Sequence, residues 1–390
     1  MSDNYKYDLR GVSATKDEVH AAIADMDKGL YPLAFCKILP DLVAGDKDFC
    51  NIMHADTAGT KTSLAYLYWR ETGDLEVWKG IAQDALVMNL DDMGCVGCVD
   101  DIVISSTIGR NKNLISGDVI KTLIQAANDF VEQMREHDVH LHLSGGETAD
   151  VGDIVRTIDV GYTTFARLHR KQLIVNDIQD GDVIVGLSSS GQATYENSYN
   201  GGMGSNGLTS ARHDVFHHDY ASKYPESFDP NTPKEVIYIG GKKLTDTIEI
   251  DDKNIPIGKL VLSPTRTYLP VLKKLLTELH GNIHGIIHCT GGGQTKVNHF
   301  IQNKRVVKDN LLPIPPLFEL IQSESGTSWK EMYQVFNMGH RLEVYLPKEK
   351  TQTVIDIARQ FNIEAQIIGR VEVADKNEVV IEGAFGRFSY

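Results

Sequence analysis

Five cysteines in 390 residues, Cys36, Cys50, Cys95, Cys98 and Cys289, are an odd and sparse set; they exclude a disulfide framework and fit reduced thiols. Cys95-Val-Gly-Cys98 is a lone pair at metal-ligand spacing, half of what a structural zinc site needs. No Lys/Arg-rich run appears and the formal net charge is −14, which argues against a nucleic-acid partner. No apolar run approaches membrane-spanning length, and the first ten residues lack the apolar core of a secretory signal, so a cytoplasmic location without a membrane partner is expected. Tandem repeats and low-complexity tracts are absent too. With 42% hydrophobic and 24% charged residues, the composition is that of a globular chain of about two domains, each able to bury a core.

What the chain does have is a series of glycine-bearing turns after strand-like runs. His54-Ala-Asp-Thr-Ala-Gly-Thr-Lys61 packs an acid, a flexible turn and a lysine between Phe49–Met53, which reads as a short strand, and Ser63–Tyr68, which starts a buried segment. Gly59 permits a turn whose N–H groups hold phosphate oxygens, Lys61 adds a point charge, and Asp56 offers a carboxylate to a divalent cation. The stretch is not a Walker A loop, because it lacks the adjacent Gly-Lys and the upstream glycine. An ordinary turn with a solvated lysine is the plain alternative.

The first half continues with Asp74–Met93 at helical spacing, Asp74 serving as N-cap, and this helix ends in Asn89-Leu-Asp-Asp-Met-Gly94. Adjacent carboxylates at a helix C-terminus oppose the helix dipole, so a cation or solvent must compensate Asp91 and Asp92. Val99–Ser106 reads as a strand and Gly117–Met134 as an amphipathic helix. A strand at His140–Leu143 runs into Ser144-Gly-Gly-Glu-Thr-Ala-Asp150, where Gly145 and Gly146 permit close approach of a ligand and Glu147 brings another acid. His137, His140 and His142 lie close together without a further ligand in the sequence, and a solvated cluster is expected. Val155–Arg167, a long strand, closes a first domain over residues 1–168, and polar Leu168–Asp182 marks the boundary with a second, 169–390. Near the amino terminus, Asp17–Lys28 predicts a helix with Val19, Ala22, Ile23 and Met26 inward.

In the second half Val183–Leu187 is a strand ending in Ser188-Ser-Ser-Gly191, and Gln192–Gly207 has too few aliphatic residues for anything but a loop. Residues 213–259 are irregular, with Pro225, Pro230 and Pro233. Ser263 before Pro264 predicts a helix start, and Ile283–Cys289 is a strand leading to Thr290-Gly-Gly-Gly293 and a helical Gln294–Ile301. N–H groups at such a helix start bind anions without a lysine. A strand at Leu342–Leu346, a helix through Val354, Ile357, Ala358 and Phe361, and a strand pair complete the chain.

The order of these motifs resembles that of the aminoimidazole ribonucleotide synthetases, or phosphoribosylformylglycinamidine cyclo-ligases. The residues that carry the resemblance are Asp56-Thr-Ala-Gly-Thr-Lys61, Leu90-Asp-Asp92, Gly145-Gly-Glu-Thr-Ala-Asp150, Asp180-Gly-Asp-Val-Ile184, Ser189-Ser-Gly191 with Ser205-Asn-Gly207, Pro264-Thr-Arg-Thr-Tyr268, His288-Cys-Thr-Gly-Gly-Gly293 and Glu331–Gly339. The likeness spans roughly residues 50 to 385 and departs from the family at the amino terminus, echoed by Gly11-Val-Ser13 and the stretch Leu30–Ile38, and at Tyr195–Tyr199, which the family lacks.

The resemblance implies an α+β fold of two mixed domains of the PurM-like ATP-binding superfamily, sheets packed with helices, and a homodimer built on the first domains. It implies ATP- and Mg²⁺-dependent closure of formylglycinamidine ribonucleotide to aminoimidazole ribonucleotide in purine biosynthesis. By the same resemblance, Asp56, Asp92 and Glu147 would hold the metal, while Gly59, Thr60, Lys61, Gly145 and Gly146 would meet ATP. Ser190, Asn206, Thr290, Gly291, Gly292 and Gly293 would face the substrate, and Lys61 and His288 would be catalytic. The segment 192–204 reads as a lid over the ribonucleotide. The alternatives are another enzyme of the superfamily (selenophosphate synthetase, thiamine-monophosphate kinase or the hydrogenase-maturation dehydratase) or a non-catalytic nucleotide-binding relative. A dehydratase would want a cysteine at the very end, where this chain has Gly386-Arg-Phe-Ser-Tyr390.

Overall fold

The computed structural model describes Lys6, residues 9–12 and residues 17–390; Ser13 and the side chain of Val19 lie outside the described residues. Strands β1 (Ile38–Pro40), β2 (Phe49–Thr57), β3 (Ile102–Arg110), β4 (Leu141–Asp150) and β5 (Ile158–His169) form one sheet in the order β1-β2-β5-β3-β4. Successive side chains alternate between the faces of a strand. Ile52, Ile102, Ile104, Val160 and Ala166 are therefore buried on the face covered by helix α2 (Val77–Gly94), which crosses β2 and β5, with helix α3 (Gly117–Arg135) packed beside it. The other face is open: Met53, Phe165 and Val103 share one rung, and Met53 is 60% and Val103 40% exposed.

A second sheet is built from β6 (Val183–Ser188), β9 (Gly285–His288), β10 (Lys304–Lys308), β11 (His340–Leu346), β12 (Ala365–Val373), β13 (Glu378–Gly383) and β14 (Gly386–Ser389). Its order is β14-β13-β10-β12-β6-β11-β9. β6, apolar from Val183 to Leu187, and β11, buried at every residue, suit strands covered on both faces. The C-terminal ends of β6 and β9 and the start of β11 open at the same edge, facing α2.

Residues 213–259 are not a loose excursion. They contain the short helices Asp219–Lys223 and Ile257–Val261 and a hairpin of β7 (Thr247–Ile250) and β8 (Lys253–Pro256), and they grip helix α1 (Lys61–Thr72) of the first half. Tyr66 Oη lies 2.5 Å from Glu226, Tyr224 Oη donates to Glu71 at 2.5 Å, and Lys259 pairs with Asp74 at 2.8 Å. Gly258 is required there, since a β-carbon would sit 2.5 Å from the Tyr68 ring. Asp74 also accepts the Glu76 N–H at 2.9 Å, while the N-cap position of α2 itself is Glu76.

Other elements also differ from the sequence expectation. The first helix stops at Ile23, and Ile23 and Met26 are exposed rather than inward. Ser263–Tyr268 is extended, and the helix expected to start there runs only from Leu269 to Leu279. β4 continues through Gly145-Gly146 as far as Asp150, because a bulge of Ser144 and Gly145 opposite Ser105 absorbs one extra residue and Gly146 pairs with Ser106. A β-carbon on Gly146 would sit 2.1 Å from the Ser106 carbonyl, so these glycines serve the strand pairing itself.

The insertion contributes a pH dependence. His213 is buried between Arg10 and Arg212 and accepts a backbone hydrogen bond from Tyr238, and burial followed by those guanidinium charges holds it neutral far below the usual histidine range. The unfolded chain therefore binds one more proton than the native state below pH about 6.5, and stability rises with pH up to that value. Unfolding titrations are expected to lose about 1.4 kcal/mol per pH unit below it from this residue. The loss should vanish in His213→Gln; an identical slope in that variant would exclude His213 as the source.

Candidate active site

The two halves meet along a seam of buried polar groups rather than an apolar face. Helix α2 supplies Asp84, Asp91 and Asp92, all buried, and the extended Ser263–Tyr268 segment supplies donors to the first two. Thr265 donates to Asp84 Oδ1 from its N–H at 2.7 Å and its hydroxyl at 2.5 Å. Thr267 Oγ1 and the Tyr268 N–H donate to Asp91 at 2.7 and 2.9 Å. Asp91, which opposes the helix dipole, is thus compensated by the other half of the protein. Burial still pushes the Asp91 carboxyl up, against the pull of nearby His288 and Arg341.

Asp92 stands at the accessible end of this seam. His288 Nδ1 is 2.7 Å from Asp92 Oδ1, and His54 Nε2 is 3.4 Å from Oδ2. Arg341 Nε donates to His288 Nε2 at 3.0 Å, so Nε2 is an acceptor and the ring proton sits on Nδ1, directed at Asp92. Both nitrogens of His288 are engaged in a fully buried ring. The expected proton-shuttle role is revised accordingly: His288 orients Asp92. Arg341 goes unnoticed in the sequence, although His340, Arg341 and Glu343 within a strand of otherwise apolar residues are a visible signal of buried charge.

Lys61 also differs from expectation. Its side chain is completely buried at the start of α1, where Nζ donates to Asp84 Oδ1 at 2.8 Å, Gly204 O at 3.1 Å and Ser263 O at 2.6 Å. With every donor engaged, it ties three segments together and presents no charge to the surface.

The three acids expected to share one cation do not converge. Asp56 pairs across the sheet with Tyr162 on the helix-covered side, and Asn89, one turn before Asp92, donates to the Asp56 carbonyl at 3.3 Å. Glu147 lies in the rung of Thr107, Gly161 and Thr57 on the open face, three strand spacings or roughly 14 Å from β2. Asp56 and Asp92 both lie on the helix-covered side of the sheet, and one or two carboxylates completed by water and substrate phosphates are the donor set Mg²⁺ ordinarily takes. Glu147 of the same chain does not fit that site.

Around Asp56 and Asp92 the expected turns gather in part. Thr60 Oγ1 and Thr209 Oγ1 lie 2.9 Å apart, which brings the Gly59-Thr60 turn to the start of helix α4 (Leu208–Val215). Asn206 lies beside Gly291, at 3.7 Å from where a β-carbon would be. Gly293, at φ 48°, must be glycine, because a β-carbon would approach the carbonyls of Phe336 and Tyr333 to 2.6 and 2.7 Å. Ser190 belongs elsewhere: it lines a separate cavity of about 540 Å³ with Gln192, Tyr199, Lys253, Arg359 and Asn362.

The segment 192–204 has no helix or strand, yet it is a strut and not a lid. Ala193, Asn200 and Met203 are buried. Glu196 forms a two-pronged pair with Arg266 at 2.6 and 3.0 Å, Tyr195 Oη donates to Thr267 O at 2.6 Å, and Asn337 Nδ2 donates to Gly202 O at 2.8 Å. These contacts hold the segment against Ser263–Tyr268 and Asn337.

Comparison with known proteins gives matches along both halves. Residues 38–168 match the N-terminal domain, and residues 179–382 the C-terminal domain, of the AIR synthase related proteins. The phosphoribosylformylglycinamidine cyclo-ligase of Methanococcus vannielii is 26% identical, over 87% of this chain and 81% of its own length. The protein of the same name from Methanocaldococcus jannaschii is 28% identical, over 83% of this chain and 79% of its own. A solved structure from Thermus thermophilus, 13% identical, aligns with 95% of this chain and 97% of its own at a TM-score of 0.53, a likeness of fold.

Proposed function

Because the chain belongs to the AIR synthase related protein family, with both of the family's domains in order, we propose that it is an ATP-dependent phosphoribosylformylglycinamidine cyclo-ligase of purine biosynthesis. The observation that supports the reading most is the similarity to relatives of that name over 87% of the chain. ATP phosphorylates the formyl oxygen of formylglycinamidine ribonucleotide, a substrate nitrogen attacks that carbon, and phosphate leaves as the imidazole ring closes. Such a reaction depends chiefly on positioning and charge neutralisation.

The residues divide this work as follows. Asp56 and Asp92 would hold Mg²⁺, which, when bound, neutralises phosphate charge. His288 and Arg341 keep the Asp92 carboxylate aimed, the Gly59-Thr60 turn meets the ATP phosphates, and Asn206 with Thr290–Gly293 receives the ribonucleotide. A coupled assay of ADP release and imidazole product with formylglycinamidine ribonucleotide tests the reading. ADP release with thiamine monophosphate, or AMP and phosphate release with selenide, would redirect it to the corresponding superfamily enzyme.

A homodimer in the cytoplasm completes the proposal. No helix among the described residues is long and apolar enough to cross a membrane. The open rung of Met53, Phe165 and Val103 exposes apolar area on a sheet face, worth about 25 cal/mol per Å² when covered. A second copy of the same surface satisfies it symmetrically. Light scattering at micromolar concentration should give a dimer for the wild type and a monomer for Met53→Glu/Val103→Glu; a monomeric wild type would refute the interface.

A further inference from the structure

The cations packed around the site already have their donors engaged. Lys61 is engaged by Asp84, Arg266 by Glu196, and Arg341 by His288 and the Arg266 carbonyl. Lys296 is differently placed. It is half-buried on the turn of 3-10 helix Gly293–His299 that follows the glycines. A β-carbon on Gly292 would lie 3.7 Å from Lys296 Cα and 3.9 Å from its Cδ, so the lysine stem runs alongside the turn. Its ammonium sits 5.5 Å from the centre of the Phe35 ring, and Phe35 stacks on Phe300 with centroids 4.9 Å apart. Among the described residues no carboxylate forms an ion pair with it. An aromatic face holds a cation in place without neutralising its charge. The same wall adjoins Asp92, because the Cys36 thiol donates to the Asp92 carbonyl at 3.2 Å.

We propose that Lys296 binds a terminal phosphate dianion at the Thr290–Gly293 turn, supplying the cation that Lys61 cannot. The assignment rests on the reading that this turn faces the substrate. Two groups have the required chemistry, the 5′-phosphate of the ribonucleotide and the terminal phosphate of ATP. Either one forms a charge-assisted hydrogen bond to an ammonium, the stronger class of such bonds.

Isothermal titration of the full chain with ribose 5-phosphate, and separately with a non-hydrolysable ATP analogue, distinguishes the two sources. Lys296→Met is expected to weaken one of the two by about tenfold or more and leave the other within about twofold, and Lys296→Arg should restore most of the affinity. Loss confined to ribose 5-phosphate assigns the ribonucleotide phosphate, and loss confined to the analogue assigns ATP. Unchanged binding of both in Lys296→Met, or no binding of either by the wild type, overturns the proposal. The functional reading fails separately: a wild type that binds ribose 5-phosphate through Lys296 yet forms no imidazole refutes the cyclo-ligase and leaves Lys296 standing. Normal cyclisation with an unchanged KM in Lys296→Met does the reverse.

Discussion

Lys61→Met is expected to lower the unfolding free energy by about 3–5 kcal/mol, the range for removing one partner of a buried ion pair. Both side chains of the Lys61–Asp84 pair are fully buried. Burial pushes the ammonium down and the carboxyl up, and their mutual contact opposes both shifts. Asp84 Oδ1 takes the donors from Lys61 and Thr265, whereas Oδ2 has no hydrogen-bond partner. Removing Lys61 therefore leaves a buried carboxylate that must protonate, and it also leaves the Gly204 and Ser263 carbonyls without their donor. Asp84→Asn in the Lys61→Met background should recover much of the loss, because a neutral amide still accepts from Thr265. Urea unfolding of the three proteins decides the matter. A Lys61→Met protein within about 1 kcal/mol of wild type would return Lys61 to the phosphate role that the sequence suggested.

The difference between those two roles for Lys61 shows what a sequence can and cannot carry. The strand before Asp56, the helix bearing Asp91-Asp92 and the strand ending at His288 are all legible, because each rests on local periodicity within one segment. Lys61 is not, because the partner that claims it lies 23 residues away on α2 and two of its acceptors more than 140 residues away. The same applies to 192–204, whose polar composition reads as a mobile loop until Arg266 and Asn337 are placed beneath it. Glu147 is separated from Asp56 by strand register, and a one-residue offset in register decides the face of a sheet. Gly145-Gly146 looks like a ligand turn and proves to be a bulge, since glycine answers a close backbone approach from either source.

Asp92→Asn is expected to reduce ATP-dependent turnover by about a hundredfold or more, in the range for losing one preorganised charge at a reaction centre, while the fold survives. Asparagine keeps the volume, and its carbonyl still accepts the His288 Nδ1 proton that Arg341 fixes from the far side of the ring. What it removes is the negative charge at the mouth of the seam, where, on the proposed function, Asp92 with Asp56 would meet a hard cation and its nucleotide. Stability should therefore fall by less than the Lys61 variant loses, because the Asp92 side chain keeps some exposure and one of its two imidazole contacts is long, at 3.4 Å. The pair of variants separates two kinds of buried acid on one helix, Asp84 holding the halves together and Asp92 proposed to serve the reaction. The measurement is kcat with product quantified, beside a urea midpoint for each protein. Asp92→Asn with wild-type kcat, or with a midpoint as low as that of Lys61→Met, would place Asp92 with Asp84 as a structural group and move the reaction centre away from this end of the seam.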